Sequence, residues 1–313
     1  MTANPVNGKT WFLLLLLLTG CGGAGGDGGQ RPEQITSGET TFCPGTGPAA
    51  SPRYVIGGEQ AYGSADPMAD LVSRSTVALV ARGRVSCTAT LIDERLLVTA
   101  AHCLLDPFSM NSRLRDPVPI EPGRLRVGFG NPDPDSGPGA GAGYSEGCSA
   151  EIAGYRIHPD FDVQDGDAAG RFYDIGVVLL DQPVPSPLVP VPLAPADLSL
   201  GGGDTIVLAG FGKTADDDTG LNPALRLLRG QVEEVHSSFG EFDLVRGEGQ
   251  GICTGDSGGP AFAMTDGGPV VVGAASRLNR ERGQLSCHAG GGIYTDLREY
   301  AGFIHAGHRD RTD

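Results

Sequence analysis

Gly255-Asp256-Ser257-Gly258-Gly259-Pro260 is the stretch on which the reading of the whole chain turns. A serine hydroxyl is a weak nucleophile at neutral pH and needs an adjacent base. Small residues on both sides allow a sharp backbone turn that leaves the Ser257 hydroxyl exposed. The same turn lets the amide N–H groups of Gly255 and Ser257 converge on one point, where an oxyanion would form. Taken alone, the string is more economically read as an ordinary glycine-rich turn. Its meaning depends on whether a histidine and a carboxylate lie upstream.

Both do. Leu96-Leu97-Val98-Thr99-Ala100-Ala101-His102-Cys103 is an apolar strand running into a small-residue turn that ends on His102. In Phe172-Tyr173-Asp174-Ile175-Gly176-Val177-Val178-Leu179-Leu180 a lone acid, Asp174, stands at the mouth of a second apolar strand. The three strings, in the order His, Asp, Ser, resemble the chymotrypsin-like (trypsin-fold) serine proteases. The resemblance covers Val55 to about Ile304. It implies an all-β fold of two six-stranded antiparallel Greek-key barrels, with the active site between them and a C-terminal helix. It also implies the roles. His102 accepts the Ser257 proton and passes it to the leaving amine, Asp174 holds the imidazole tautomer, and the N–H groups of Gly255 and Ser257 stabilise the oxyanion.

Composition agrees with that class. In 313 residues there are 50 glycines and 23 prolines with only 6% aromatics, which favours short strands and turns over long helices. A net charge of −15 disfavours nucleic acid as a partner. Half-buried strands are predicted at Thr76 to Val80, Ser86 to Ile92, Leu125 to Phe129, Ile152 to Ile157 and Ile175 to Leu180 in a first barrel. The proline-rich Gln182 to Pro195 reads as the crossing to a second barrel. Its strands include Thr205 to Ala209, Leu227 to Val235, Gly259 to Ala263 and Val270 to Ala275. Asp296 and Glu299 form a capping-box start for a helix running to Ile304. Two insertions, Gly130 to Gly147 and Asp160 to Phe172, read as solvated surface loops, and no spaced ligand pattern supports calcium there. His158, His236, His288, His305 and His308 read as surface or structural residues.

The N-terminus is a targeting segment. Lys9 flanks the apolar run Trp11 to Leu18, which is too short to span a bilayer core that needs about 20 residues of helix. Leu18-Thr19-Gly20-Cys21 resembles a bacterial lipobox, implying a signal peptide over residues 1–20 and a diacylglyceryl group on Cys21. An ordinary secretory signal with an incidental cysteine is the alternative. Residues 21–54 then form a glycine-rich, lipid-tethered linker or propeptide, and residues 55–313 the protease domain. Arg53-Tyr54-Val55-Ile56-Gly57-Gly58 resembles the family's activation junction, where cleavage frees an α-ammonium, here that of Val55, to bury against Asp256. Tyr54 departs from the basic residue usual before the cut. A simple linker-to-strand turn is the other reading.

Seven cysteines follow an export signal and so meet an oxidising compartment. The resemblance implies bridges Cys87–Cys103 and Cys253–Cys287. With Cys21 lipidated, Cys43 and Cys148 are left to pair with each other. No Cys/His spacing suggests zinc, and no cofactor or metal is called for.

Pocket positions follow from the same resemblance. Gly251, six residues before Ser257, replaces the aspartate that selects basic side chains, and Ile252 fills part of the floor. Ser276-Arg277-Leu278 stands where relatives often carry Ser-Trp-Gly, so Leu278 narrows the mouth, while Gly292 keeps the opposite wall small. The set looks elastase-like, favouring a small or medium apolar residue before the cut bond. Arg277 at the rim offers the alternative of an acidic preference.

Three functions remain in view. The first is a monomeric serine endopeptidase made as a zymogen, acting on proteins or peptides and membrane-anchored on the periplasmic or outer face of a bacterial cell. The second is a protease-like lipoprotein that binds a partner without cutting it. The third is an esterase, which normally presents its triad in the order Ser, Asp, His.

Overall fold

The computed structural model describes residues 40–43, 58–106, 118–137, 141–161, 172–213, 224–245, 251–278, 287 and 291–309. All of them lie within one compact unit, Glu39–Asp313. Cys21, Tyr54 and Val55 fall outside the described residues. A short strand β1 (Glu59–Gln60) and a helix α1 (Ala69–Ser75) lead into the barrels.

The first barrel contains β2 (Thr76–Ala81), β3 (Arg84–Asp93), β4 (Leu96–Thr99) and β5 (Leu125–Gly128). After a hairpin of β6 (Asp133–Gly137) and β7 (Gly141–Gly143), β8 (Ser149–Ile157) and β9 (Gly176–Leu180) complete it. The order β2-β3-β4-β9-β8-β5 closes on itself. The second barrel is built from β10 (Thr205–Gly210), β11 (Arg226–His236), β12 (Glu241–Leu244), β13 (Pro260–Thr265), β14 (Gly268–Arg277) and β15 (Ile293–Asp296). They run β11-β10-β13-β14-β15-β12, and β12 returns to β11, so six strands close a ring to which β1 adds an outer edge. Helix α2 (Ala301–Arg309) follows. Two closed six-stranded antiparallel barrels and a terminal helix are thus the fold that the sequence predicts.

Period-two alternation explains why the strands at the seam are apolar on both faces. Val77 and Leu79 of β2 point into the first barrel with Leu91, Val127 and Val178. Ala78, between them, faces the second barrel, in a core shared with Val98, Ile175, Val207 and Phe262. A third cluster, with Ile206, Val232, Phe242 and Val272, fills the second barrel. The site described below sits where the shared core reaches the surface.

Three local features differ from the sequence reading. Helix α1 is not marked by periodicity because it is only seven residues long. The first insertion contains the β6–β7 hairpin as well as loop. The terminal helix begins at Ala301, not at Asp296. The Asp296 carboxylate is occupied by Arg298, whose backbone N–H and Nε both reach Oδ1, at 3.1 and 2.9 Å, so no capping box forms.

Candidate active site

His102 lies on a short 3₁₀ turn, Ala101–Leu104, immediately after β4. The Cys87–Cys103 bridge pins that turn to β3. Asp174 precedes β9 and is fully buried. Tyr173 before it adopts φ +57°, a left-handed conformation costly for a bulky residue, and its ring stacks on His158 at 5.1 Å. That strained turn presents Asp174 to His102. Asp174 Oδ2 meets His102 Nδ1 at 2.7 Å, while Oδ1 accepts the His102 backbone N–H at 2.9 Å. The Ser276 hydroxyl donates to Oδ2 at 2.6 Å, and Thr295 Oγ1 donates to the Asp174 carbonyl at 3.0 Å. Burial alone would raise the Asp174 carboxyl, but the His102 charge and the hydrogen bonds from His102 and Ser276 hold it below the ordinary carboxylate value.

Ser257 comes from the second barrel, on the loop before β13. Its half-buried side chain is reached through a turn with Gly255 at φ +102° and Gly258 at φ +76°. Glycine is required at 258. A side chain there would strike the Thr88 carbonyl, Thr99 Oγ1 and the Ala100 nitrogen of the opposite barrel. Thr88, which the sequence reading treated only as part of a strand, clamps this loop. Its N–H donates to the Ser257 carbonyl at 2.8 Å, and its hydroxyl donates to the Gly255 carbonyl at 2.9 Å. The signal in the sequence is Ser86, Thr88 and Thr90, hydroxyl residues at period two along β3, of which Thr88 and Thr90 are buried.

Cys103 Sγ lies 3.8 Å from His102 Nε2 and 3.5 Å from the Ser257 carbonyl oxygen, so the histidine and serine loops meet over the disulfide. Among the described residues, Ser257 Oγ makes no hydrogen bond to His102, and the N–H groups of Gly255 and Ser257 donate to no protein acceptor. Cys87, Cys103 and His102 are close enough to suggest a metal site, but both sulfurs are consumed in the bridge and offer no thiolate.

Asp256 is directed away from the triad. It is 1% exposed and accepts the N–H of Gly212 on Oδ1 and that of Cys253 on Oδ2, each at 2.8 Å. Burial pushes its carboxyl up to about 7, against the pull of those two N–H groups and of Arg226. Side chains at Gly210 and Gly212 would collide with this carboxylate. Gly212 was not singled out in the sequence.

Gly251 and Gly292 are buried, and a side chain on Gly292 would press on Ile252 Cδ1 at 2.8 Å, so Ile252 and Gly292 face one another. Leu278 packs on the Cys253–Cys287 bridge. Arg277 does not stand at the rim as an acceptor of acidic groups. Its side chain is 7% exposed and paired with Glu241, an acid within reach on β12 that the sequence reading passed over.

Cys43 and Cys148 are bonded across a separation of 105 residues. Residues 40–43, read as linker, are docked on the body: the Thr41 and Cys43 N–H groups donate to the Gly147 and Phe129 carbonyls, and Phe42 joins the first-barrel core. Three disulfides in one chain mark an exported protein. Among the described residues no helix is long and apolar enough to cross a membrane.

Comparison with known proteins adds a second line. The trypsin family model matches residues 55–131 and 136–304. Tryptase of Mus musculus is 25% identical over 288 residues, covering 83% of this chain and 90% of that protein. Trypsin iota of Drosophila melanogaster is 26% identical over 203 residues, covering 60% of this chain and 68% of its own length. Among solved structures, human heparin binding protein superposes with TM-score 0.56 at 20% identity, covering 80% of this chain and 96% of that one. A mutant of the same protein gives TM-score 0.59 at 19% identity, with 82% and 97% covered.

Proposed function

This chain belongs to the trypsin family of serine proteases, and from that premise we propose that it is a serine endopeptidase using His102, Asp174 and Ser257. The observation that carries the reading is the buried His102–Asp174 pair at 2.7 Å, brought by one barrel against the Ser257 loop of the other. In the proposed reaction Ser257 Oγ attacks a peptide carbonyl as its proton passes to His102 Nε2, and the imidazolium returns that proton to the leaving amine. Asp174 stabilises the imidazolium, and the uncommitted N–H groups of Gly255 and Ser257 receive the tetrahedral oxyanion. Each such donor contributes about 3 kcal/mol.

The enzyme is made as a zymogen. Asp256 supports this part of the proposal: its buried carboxyl has backbone donors and is pushed up to about 7, the state of an acid awaiting a stronger cationic partner. Cleavage after Tyr54 supplies one in the Val55 α-ammonium. The Cys43–Cys148 bond would then keep the catalytic body joined to its N-terminal segment, and so to a lipid on Cys21. Ile252, Leu278 and Gly292 favour a small or medium apolar side chain before the cut bond.

A second reading, a catalytically silent binding protein, draws on the missing Ser257–His102 hydrogen bond and on a structural neighbour named for binding heparin. One experiment separates the two. A fluorophosphonate probe is applied to the full-length chain and to a form beginning at Val55, with Ser257→Ala as control. Labelling confined to the Val55 form is the expected result. Equal labelling of both forms removes the zymogen, and labelling of neither leaves the binding protein.

A further inference from the structure

Arg277, at the end of β14, is turned into the protein. Its guanidinium grips Glu241 through two parallel bonds, Nη1 to Oε1 at 2.5 Å and Nη2 to Oε2 at 2.8 Å. The two side chains are 7% and 4% exposed. Glu241 on β12 and Arg277 at the end of β14 both flank β15, opposite Thr295 and Ile293 respectively. Arg277 Nη1 also reaches Ser276 Oγ at 3.4 Å, and that hydroxyl donates to Asp174 at 2.6 Å. An unbroken series therefore runs Glu241, Arg277, Ser276, Asp174, His102.

Stability alone is a poor account of an ion pair at this depth, because the desolvation of both charges offsets much of their attraction and an apolar pair would fill the space as well. Hydrogen-bond chemistry gives a better one. A guanidinium only donates, so Ser276 Oγ must accept from it, and the one hydroxyl hydrogen is left for Asp174. Glu241 balances the added cation.

We propose that Arg277 and Glu241 are positioning residues of the His102–Asp174 pair: Arg277 fixes the direction of the Ser276 hydroxyl, and Glu241 keeps the site free of a net extra charge. The inference deepens the peptidase reading and rests on it. Other titratable or charged groups around the network are Asp296 with Arg298, Glu299, Tyr173 and Tyr300. Tyr300 feels Glu241 directly, and its ring and that of Tyr173 pack on His158.

The test uses the form beginning at Val55 and follows the rate of fluorophosphonate labelling against pH, with the folded state of each variant checked by thermal unfolding. Glu241→Gln leaves the cation uncompensated, so the acid limb should move to lower pH by about half a unit. Arg277→Gln leaves the carboxylate uncompensated and should move it up by a similar amount, and the double variant should return it near the parent. Arg277→Lys keeps the charge but loses the fork, so its limb should stay in place while the plateau rate falls roughly fivefold. If Arg277→Gln does not fold, Glu241→Gln and Arg277→Lys still carry distinct expectations, a limb moved down for the first and a limb left in place with a lower plateau for the second. Limbs that coincide in every folded variant, or that move the same way, overturn the proposal. Absence of labelling in the parent would instead sink the peptidase reading. The network is then read from the downfield His102 Nδ1 proton in magnetic resonance, whose pH response should separate the same variants in the same directions and, if it does not, overturns the inference by itself.

Discussion

Asp174 and Asp256 are the same residue type, are 0% and 1% exposed, and have been pushed in opposite directions. Asp174 sits against His102 and accepts from a backbone N–H and the Ser276 hydroxyl, so its charged form is held low in pH despite burial. Asp256 has two backbone N–H donors and a more remote Arg226, and burial wins, lifting it to about 7. Burial therefore does not decide whether an interior carboxylate is ionised. What decides is a partner of opposite charge at hydrogen-bond distance. The first acid has that partner within the chain as it folds. The second, on the proposed reading, acquires it only when the backbone is cut.

The largest effect should come from Asp174→Asn, which keeps the shape and removes the charge. Turnover of a peptide substrate by the Val55 form should fall by about 10⁴. A loss below about tenfold would show that the charge of Asp174 does little, and the contrast with Asp256 would lose its meaning.

Next in size is a pH effect on the uncleaved chain. Because the folded-state value of Asp256 lies above its unfolded value, the stability it gives by staying protonated is fully present below about pH 4 and is lost as pH rises through about 7. A shift of that size corresponds to about 4 kcal/mol. Thermal unfolding of the uncleaved chain should therefore show a decline over this window that Asp256→Asn abolishes, and a form beginning at Val55 should lack much of it. Asp174 contributes with the opposite sign, its stability present above the unfolded carboxylate value and lost on acidification. Identical pH profiles for the parent and Asp256→Asn would break the comparison.

The smallest expected change is that of Ser276→Ala, which removes one donor from Asp174 and leaves His102 in place. A decrease of about tenfold in the labelling rate is expected, in line with one hydrogen bond to a charged group. No change would mean that the imidazole alone secures the carboxylate.

The strands and the three strings around His102, Asp174 and Ser257 were legible because each carries a local signature. Alternating apolar residues mark a strand wherever one face is buried, and a nucleophile needs small neighbours in sequence. Cys87 with Cys103 and Cys253 with Cys287 were legible through the resemblance, and their bonds are present. Thr88 and Glu241 were not, since each acts on a partner far away in the chain: the Thr88 hydroxyl on Gly255, 167 positions on, and Glu241 on Arg277, 36 positions on. Arg277 was read as a rim residue because a sequence does not show which way an arginine side chain turns.

By itself, then, the sequence determined the strand pattern, the three strings around His102, Asp174 and Ser257 and, through the resemblance they carry, the two-barrel class, because apolar alternation and residue type are local. Only the tertiary structure decided that the Asp174 carboxyl is lowered while that of Asp256 is raised, and that Arg277 pairs with the interior carboxylate of Glu241. Charge state and side-chain direction depend on what closes around a group in three dimensions, and its sequence neighbours do not fix that.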